Sequence, residues 1–232
     1  MNRTIKLAST AALAALGISV AHADNASVPD NTVRVGLYYI HYHSTADDLS
    51  GPYVPPGVNL GVEDVTTLYL AYVRRLSVHF AVELAAGLPP LTKTEGHGPA
   101  ELGSVAYNGQ VISTARWFAP TLLLNYQFFD DSAPLRPYIG VGVNYVNFYD
   151  RQATAAGNAA SGGPTSISLP SSWGPAGTVG LRCQLPGNWS FYASYSASMV
   201  NSKLTANTAG VIRTSEVHFG PQALVFSLGY SF

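Results

Sequence analysis

Charged residues are scarce in this sequence. Of its 232 residues, 11% are charged and 47% are hydrophobic, whereas about 25% of residues are charged in an ordinary soluble domain. The formal net charge is −1 at pH 7, and no cluster of lysine and arginine is available to neutralise phosphates. Nucleic acid is therefore not an expected partner.

Cysteine is nearly absent as well. Cys183 is the single cysteine of the chain, so no disulfide can form within it. That excludes the small secreted scaffolds that depend on several disulfides. We interpret Cys183 as a small buried hydrophobic residue.

Long apolar runs are missing from the body of the chain. The uncharged run 183–202 is long enough for a membrane helix, but it contains a Pro-Gly-Asn sequence and five serines. At the N-terminus, Arg3 and Lys6 precede an apolar stretch (7–20) and an Ala-His-Ala sequence, which together indicate a secretory signal peptide over residues 1–23. We expect one mature domain, residues 24–232. An exported chain with few charges and no spanning helix is typical of a membrane β-barrel.

Alternation of large and small residues predicts the strands. In ALVFSLGYSF (223–232), every second residue is large and apolar and the residues between them are small, which is the period of a β-strand. Eight such segments can be read, at 33–43, 65–74, 76–87, 116–129, 138–149, 174–185, 189–201 and 215–232.

The connections between these segments alternate in length. They are short after the second, fourth and sixth segments and long after the others (44–64, 88–115, 150–173 and 202–214). This predicts an all-β protein, an eight-stranded antiparallel transmembrane β-barrel with short periplasmic turns and long extracellular loops, its large residues facing lipid. A soluble up-and-down barrel is the rival, but it would turn its large residues inward.

The sequence resembles the OmpW family of small outer-membrane barrels, which includes AlkL-type alkane-uptake proteins. The pieces that carry this resemblance are TTLYLAYVRRLSVHFAVELAAGLP (66–89), APTLLLNYQF (119–128), RPYIGVGVNYVNFYD (136–150), SSWGPAGTVGLRCQL (171–185) and SEVHFGPQALVFSLGYSF (215–232). The resemblance implies location in the outer membrane of a Gram-negative bacterium and a narrow, partly hydrophobic lumen. It also implies passive uptake of small hydrophobic molecules. The terminal phenylalanine resembles the signal that is read by the barrel assembly machinery.

Three prolines lie inside predicted strands, all in the extracellular half of the wall: Pro120, Pro175 and Pro221. Proline removes a ladder donor, so the wall should be unpaired or bulged near these residues. In the last strand, Val217 and Phe219 are expected to face lipid out of phase with Leu224, which predicts a bulge at residues 220–221. One interpretation is a lateral opening into the bilayer. The other is that these prolines simply end the strands.

The faces opposite lipid give the candidates for the lumen: His79, Glu83, Ala85, Leu123 and Tyr192. Glu83 is expected to form an ion pair with Arg182 or Arg116 that plugs and stiffens the barrel. Trp173 stands where the family has a tryptophan near its constriction, so the resemblance suggests a gating aromatic. An anchor at the membrane interface is the alternative.

No catalytic, metal or cofactor site is predicted. His41, His43 and His218 are expected at the outer rim, where solvated polar side chains are commoner than metal ligands. No nucleophile motif is present. The functional expectation is an uptake channel whose partners are outer-membrane lipid, lipopolysaccharide and small hydrophobic solutes. The alternative is a structural or adhesive barrel, or a receptor, that acts through its extracellular loops.

Overall fold

The computed structural model describes residues 29–102 and 105–232, and its regular structure consists almost entirely of β-strands. The expected signal peptide, residues 1–23, lies outside the described residues. In chain order the strands are β1 (Asn31–Tyr42), β2 (Thr45–Ala46), β3 (Asn59–Val62), β4 (Val65–Arg75), β5 (Phe80–Gly87), β6 (Leu91–His97), β7 (Glu101–Leu102), β8 (Val105–Ala106), β9 (Val111–Phe118), β10 (Thr121–Gln127), β11 (Leu135–Ala153), β12 (Thr165–Ser168), β13 (Ser172–Gln184), β14 (Trp189–Ser198), β15 (Asn201–Thr208), β16 (Val211–His218) and β17 (Pro221–Ser231). A short helix, α1 (Ala155–Ser161), lies between β11 and β12. Within the described residues, no helix has the length and apolar character needed to cross a membrane.

Eight of these strands close into an antiparallel barrel in the order β1, β4, β5, β10, β11, β13, β14, β17 and back to β1. The closing pair, β1 and β17, runs from Thr32 opposite Ser231 to Tyr42 opposite Pro221. Closure leaves this part of the wall without a sheet edge. The predicted fold class is confirmed.

The barrel turns its large residues outward, as expected. In β17, Leu224, Phe226 and Leu228 are 44 to 50% exposed. Ala223 and Val225 alternate with them and are buried. Large apolar side chains cover the outer wall because lipid is their solvent, and the small side chains fit a narrow interior.

The long extracellular connections are themselves built mostly of strands. The upper part of β11 continues above the barrel and pairs with β9, which pairs with β6, which in turn pairs with β3. On the other side, β12, β15, β16 and β2 form a second sheet. The interior of the barrel therefore continues upward between these two sheets, and the long extracellular connections predicted from the sequence carry strands of their own.

Two strands differ from the prediction: one begins later than expected, and one is divided in two. The third barrel strand begins at Phe80 rather than Leu76, because the Ser77 hydroxyl accepts hydrogen bonds from the backbone N–H groups of His79 and Phe80 and forms a turn. The fourth predicted strand is divided into β9 and β10 at residues 119–120, where Pro120 provides no N–H.

The last predicted strand is also divided, and one expectation about it was wrong. Val217 and Phe219 do not face lipid: they are 3% and 7% exposed and lie inside, in phase with Ala223. The pairing shows no register shift around residues 220–221. The chain instead bends at Gly220, whose φ of 42° lies in the left-handed region. Large residues point inward here because the upper interior is itself apolar.

Candidate functional site

A buried ion pair fills the periplasmic half of the barrel. Arg34 Nη1 donates to Glu83 Oε1 at 2.8 Å, and the two side chains are 1% and 4% exposed. Arg34 lies opposite Ala71 on β4, and Ala71 lies opposite Ala85 on β5. Because both alanines are small, the long arginine side chain can reach Glu83 across the intervening strand.

Neighbouring side chains complete the polar cluster around Glu83. The Tyr69 hydroxyl donates to Oε1, and Asn125 Nδ2 donates to Oε2 at 2.7 Å. The Arg34 guanidinium lies 4.1 Å from the centre of the Tyr192 ring, a cation–π contact, and its Nε donates to Ser227 Oγ at 3.2 Å. We call Arg34, Tyr69, Glu83, Asn125 and Tyr192 the polar plug. A solute could pass straight through to the periplasm only if this network came apart.

Above the plug lies an apolar cavity in the extracellular half of the interior. Its volume is about 60 Å³, several times the roughly 10–15 Å³ that one water molecule needs. Among the described residues no charged side chain lines it. Most of its wall consists of Tyr38, Ile40, Tyr42, Leu60, Val62, Trp117, Val146, Phe148, Leu169, Val200, Leu204, Val217 and Phe219. A mostly apolar lining of this kind offers few partners to water and favours apolar guests.

A smaller, mixed cavity of about 50 Å³ lies between the apolar cavity and the plug. Glu83, Ala85 and Leu123 line it, together with hydroxyl side chains of β10, β13 and β14. Asn144 and Pro221 line both cavities, so the two adjoin. Going inward, the lining therefore changes from apolar to hydroxyl-rich and then to the ion pair.

The wall beside the apolar cavity is interrupted between the third and fourth barrel strands. Pairing of β5 with β10 ends at Ala85 opposite Thr121, and pairing of β6 with β9 resumes at Leu91 opposite Arg116. No ladder pair joins residues 86–90 to residues 117–120. We call this interruption the lateral gap.

The sequence explains why the lateral gap does not pair. Pro89 and Pro90 on one side and Pro120 on the other supply no N–H groups. Each side is instead bonded to its other neighbour: Leu88 N–H donates to Leu68 O at 2.9 Å, and Tyr145 N–H donates to Pro120 O at 3.0 Å. Trp117 and Ala119 belong to the lateral gap and also line the apolar cavity, so the cavity reaches the gap.

The three prolines that lie inside predicted strands have different surroundings in the structure. Pro120 borders the lateral gap. Pro175 lies within β13, and its carbonyl accepts a hydrogen bond of 3.1 Å from Met199 N–H, so the wall is joined there. Pro221 begins β17 opposite Tyr42 and lines both cavities.

Four of the predicted lumen residues lie in the interior. Glu83 and Tyr192 belong to the polar plug, and Ala85 and Leu123 line the mixed cavity. The predicted partners of Glu83 were wrong, since Arg34 takes that place. Arg182 instead donates to Ser190 Oγ.

His79 and Trp173 are not in the lumen, which corrects both expectations. His79 lies in the periplasmic turn before β5, where its ring stacks on Tyr126 at 5.6 Å. Trp173 is 71% exposed on the outer wall and contacts the Tyr145 ring at 4.7 Å. Since odd-numbered residues of β13 face outward at this level, the position agrees with the interfacial anchor that was the alternative.

The histidines at the rim are tied to polar neighbours. His41 Nδ1 lies 2.9 Å from Asp64 Oδ2, and the Tyr39 hydroxyl donates to the same carboxylate at 2.7 Å. Hydrogen bonds from His41 and Tyr39 lower the pKa of Asp64. His218 Nδ1 lies 2.9 Å from Asn201 Oδ1. In the described ranges no three histidine, cysteine or acidic side chains group in a way that could hold a metal ion.

Sequence reasoning missed Arg34 and Trp117. Arg34 had a usable signal, because a charged residue between Val33 and Val35 must point inward from a lipid-facing strand. Trp117 had a weaker one. It lies at the start of the fourth predicted strand (116–129), in phase with the inward-facing Leu123, but a large aromatic side chain is more typical of the lipid face.

This architecture defines a class, the small eight-stranded outer-membrane barrels. The sequence profile of the OmpW family matches residues 29–232. Outer membrane protein W of Salmonella typhimurium is 32% identical over 171 residues, which cover 74% of this chain and 75% of that protein. The chain belongs to the OmpW family and is an outer-membrane protein of a Gram-negative bacterium.

Other relatives extend the comparison. Outer membrane protein AlkL of Ectopseudomonas oleovorans is 25% identical over 76% of this chain and 70% of its own length. The crystal structure of OprG from Pseudomonas aeruginosa superposes with a TM-score of 0.77 at 23% identity, covering 88% of this chain and 96% of that chain. The structure of AlkL in lipid bilayers gives 0.65 at 22% identity, covering 93% and 96%. These two likenesses show the fold, and the relatives are outer-membrane barrels.

Proposed function

We propose that this protein is a passive channel by which small hydrophobic molecules enter through the extracellular half of the barrel and leave sideways into the outer membrane. One arrangement of the interior and the wall supports the proposal. An apolar cavity is closed below by the polar plug and reaches, at its side, a wall that lacks backbone pairing.

The plug argues against a straight path to the periplasm for such a solute. To pass, it would have to separate Arg34 from Glu83 and leave both charges buried without partners, which costs several kcal/mol. The lateral gap presents no such barrier. Trp117 and Ala119 belong both to the gap and to the apolar cavity, and lipid lies on the other side.

No energy source and no catalytic step are needed, because the solute moves from water into lipid, where apolar molecules are more stable. We therefore propose that the protein acts as a channel and not as an enzyme. Its partners would be the solute, outer-membrane lipid and lipopolysaccharide. During biogenesis the barrel assembly machinery would be a further partner.

Uptake of two tracers tests the proposal. Cells with and without the protein would be given a medium-chain alkane and, separately, a small hydrophilic solute. We expect the protein to raise the uptake rate of the alkane alone. No increase for either tracer, with the barrel shown to be folded, would contradict the proposal and leave the extracellular sheets as the functional part, as in an adhesive protein or receptor.

The lateral route is tested by restoring donors to the gap. The triple variant Pro89→Thr, Pro90→Val, Pro120→Thr supplies N–H groups on both sides, so residues 86–90 can pair with residues 117–120 around one bulged residue. We expect alkane uptake to fall towards the level of cells without the protein. Pro175→Val is the matched control, because the wall around Pro175 is already joined. An equal fall in both variants would contradict the assigned position of the opening.

A further inference from the structure

Trp117 differs from the two other tryptophans of the chain. Trp173 and Trp189 face outward and are 71% and 48% exposed, whereas Trp117 is 6% exposed and lines the apolar cavity. It is also the first residue of the unpaired side of β9, next to the lateral gap. Its indole therefore lies between the cavity and the gap.

The indole is tied to β6, the paired strand that follows the opposite side of the gap. Trp117 Nε1 donates to Thr92 Oγ1 at 2.8 Å, and Thr92 is 7% exposed. Thr92 belongs to β6, the continuation of the chain that borders the gap through Pro89 and Pro90. Tyr42 lines the apolar cavity together with Trp117 and Thr92. The hydrogen bond between these two thus ties the gap residue Trp117 to β6 at the extracellular border of the gap, next to the backbone pair of Thr92 with Ala115.

A second tie crosses the gap at its outer surface. Arg116 Nη1 donates to Pro89 O at 3.1 Å, and Arg116 Nε lies 3.5 Å from Asp150 Oδ2. Arg116 and Trp117 are consecutive in β9 and point to opposite faces of the wall. The end of β9 is therefore held on both faces of the wall beside the gap, by Thr92 inside and by Pro89 outside.

We propose that Trp117 is the gating residue of the lateral gap. Held by Thr92, its indole separates the apolar cavity from the bilayer, and it must leave this position for a solute to pass. Arg116 supports the closed position from outside. The role of Trp117 in uptake rests on the proposed function. The closed position of its indole can be measured without any transport.

Removing the hydrogen bond tests the gate in cells. Thr92→Val deletes the acceptor with little change of shape, and Trp117→Phe deletes the donor together with part of the indole ring system. We expect each to raise the alkane uptake rate by about fivefold or more, since fivefold is the change in open population that follows from losing one neutral hydrogen bond. The double variant should give no more than Trp117→Phe alone, because both substitutions remove the same bond.

Trp189→Phe is the matched control. It makes the same substitution on the outer wall at the periplasmic end and should leave uptake unchanged. Unchanged uptake in both Trp117→Phe and Thr92→Val, with the barrel folded and the unmodified protein active, would overturn the proposal. So would a larger increase in the double variant than in the two single variants, since the residues would then act independently.

A fluorescence measurement tests the gate without transport. The variant Trp173→Phe, Trp189→Phe keeps Trp117 as its single tryptophan and would be placed in vesicles of phospholipid brominated in the acyl chains. We expect weak quenching, because the indole is shielded from lipid, and stronger quenching after Thr92→Val. Equal quenching with and without Thr92→Val would overturn the gate. Stronger quenching in a protein that takes up no alkane would refute the proposed function and leave the gate standing.

Discussion

The periplasmic and extracellular halves of the interior are built by strands of the same barrel, yet they differ in chemistry and in the completeness of their wall. In the periplasmic half all eight strands pair with both neighbours, and the interior holds the Arg34–Glu83 ion pair. In the extracellular half the strands separate into two sheets, the interior is apolar and the wall has the lateral gap. Pairing and polarity change together along the axis.

This difference shows how a narrow barrel can be both rigid and permeable. A fully paired wall around a buried, hydrogen-bonded ion pair has few alternative arrangements, so it fixes the register of the strands. The extracellular half lacks such a network and can open locally without disturbing the plug. In the proposed path an apolar solute would meet this adaptable region first and the closed plug below it, and the lateral gap would give it a short path to an apolar solvent.

The largest effect is expected from breaking the plug. Glu83→Ala leaves Arg34 buried with its charge unpaired, and loss of one partner of a buried pair costs about 3–5 kcal/mol. We expect a decrease of this size in the free energy of unfolding, measured by urea titration in lipid vesicles. A decrease below about 1 kcal/mol would mean that water already reaches Arg34, and that the lower half is not closed.

Replacing both Arg34 and Glu83 distinguishes the effect of the ion pair on stability from its effect on closure of the lumen. Arg34→Met with Glu83→Leu removes both charges and keeps apolar bulk, which is often neutral for stability. We expect most of the lost free energy of unfolding to return in this double variant. Single-channel recording should show ion conductance in Glu83→Ala, where a polar path opens, and little in the double variant. Equal conductance in both would show that the plug does not close the lumen.

A smaller effect is expected from adding one hydroxyl to the apolar cavity. Val200 is 2% exposed and lines that cavity, and Val200→Thr keeps its shape. The hydroxyl would hold a water molecule, and an alkane that displaces it would leave the hydroxyl without a partner, at a cost of about 1–3 kcal/mol. We expect alkane uptake to fall about fivefold. Val179→Thr, on the outer wall, is the control that should leave uptake unchanged, and equal effects of the two would argue against the cavity as the route.

Much of the periplasmic half could be predicted from the sequence, because lipid outside and a narrow polar lumen inside give each strand two distinguishable faces. Leu224 and Ser227 or Val82 and Glu83 reveal their direction by residue type alone. The extracellular half could not be predicted in this way. Val217 and Phe219 are large and apolar, and nothing local distinguishes an apolar cavity from lipid. Trp117 was missed and Trp173 misplaced for the same reason.

The smallest effect is expected at Trp173 on the outer wall. The Trp173 and Tyr145 rings are 4.7 Å apart on neighbouring strands, and aromatic pairs of this kind contribute about 0.5–1.5 kcal/mol beyond the area they bury. Trp173→Leu should therefore lower the free energy of unfolding in vesicles by roughly 1 kcal/mol and leave alkane uptake unchanged. The result bears on the comparison of the two halves. In the proposed gate, the inward-facing Trp117 controls passage and the outward-facing Trp173 has no part in it. If Trp173→Leu changed uptake as strongly as Trp117→Phe, residues of the outer wall would affect passage as much as residues that line the cavity.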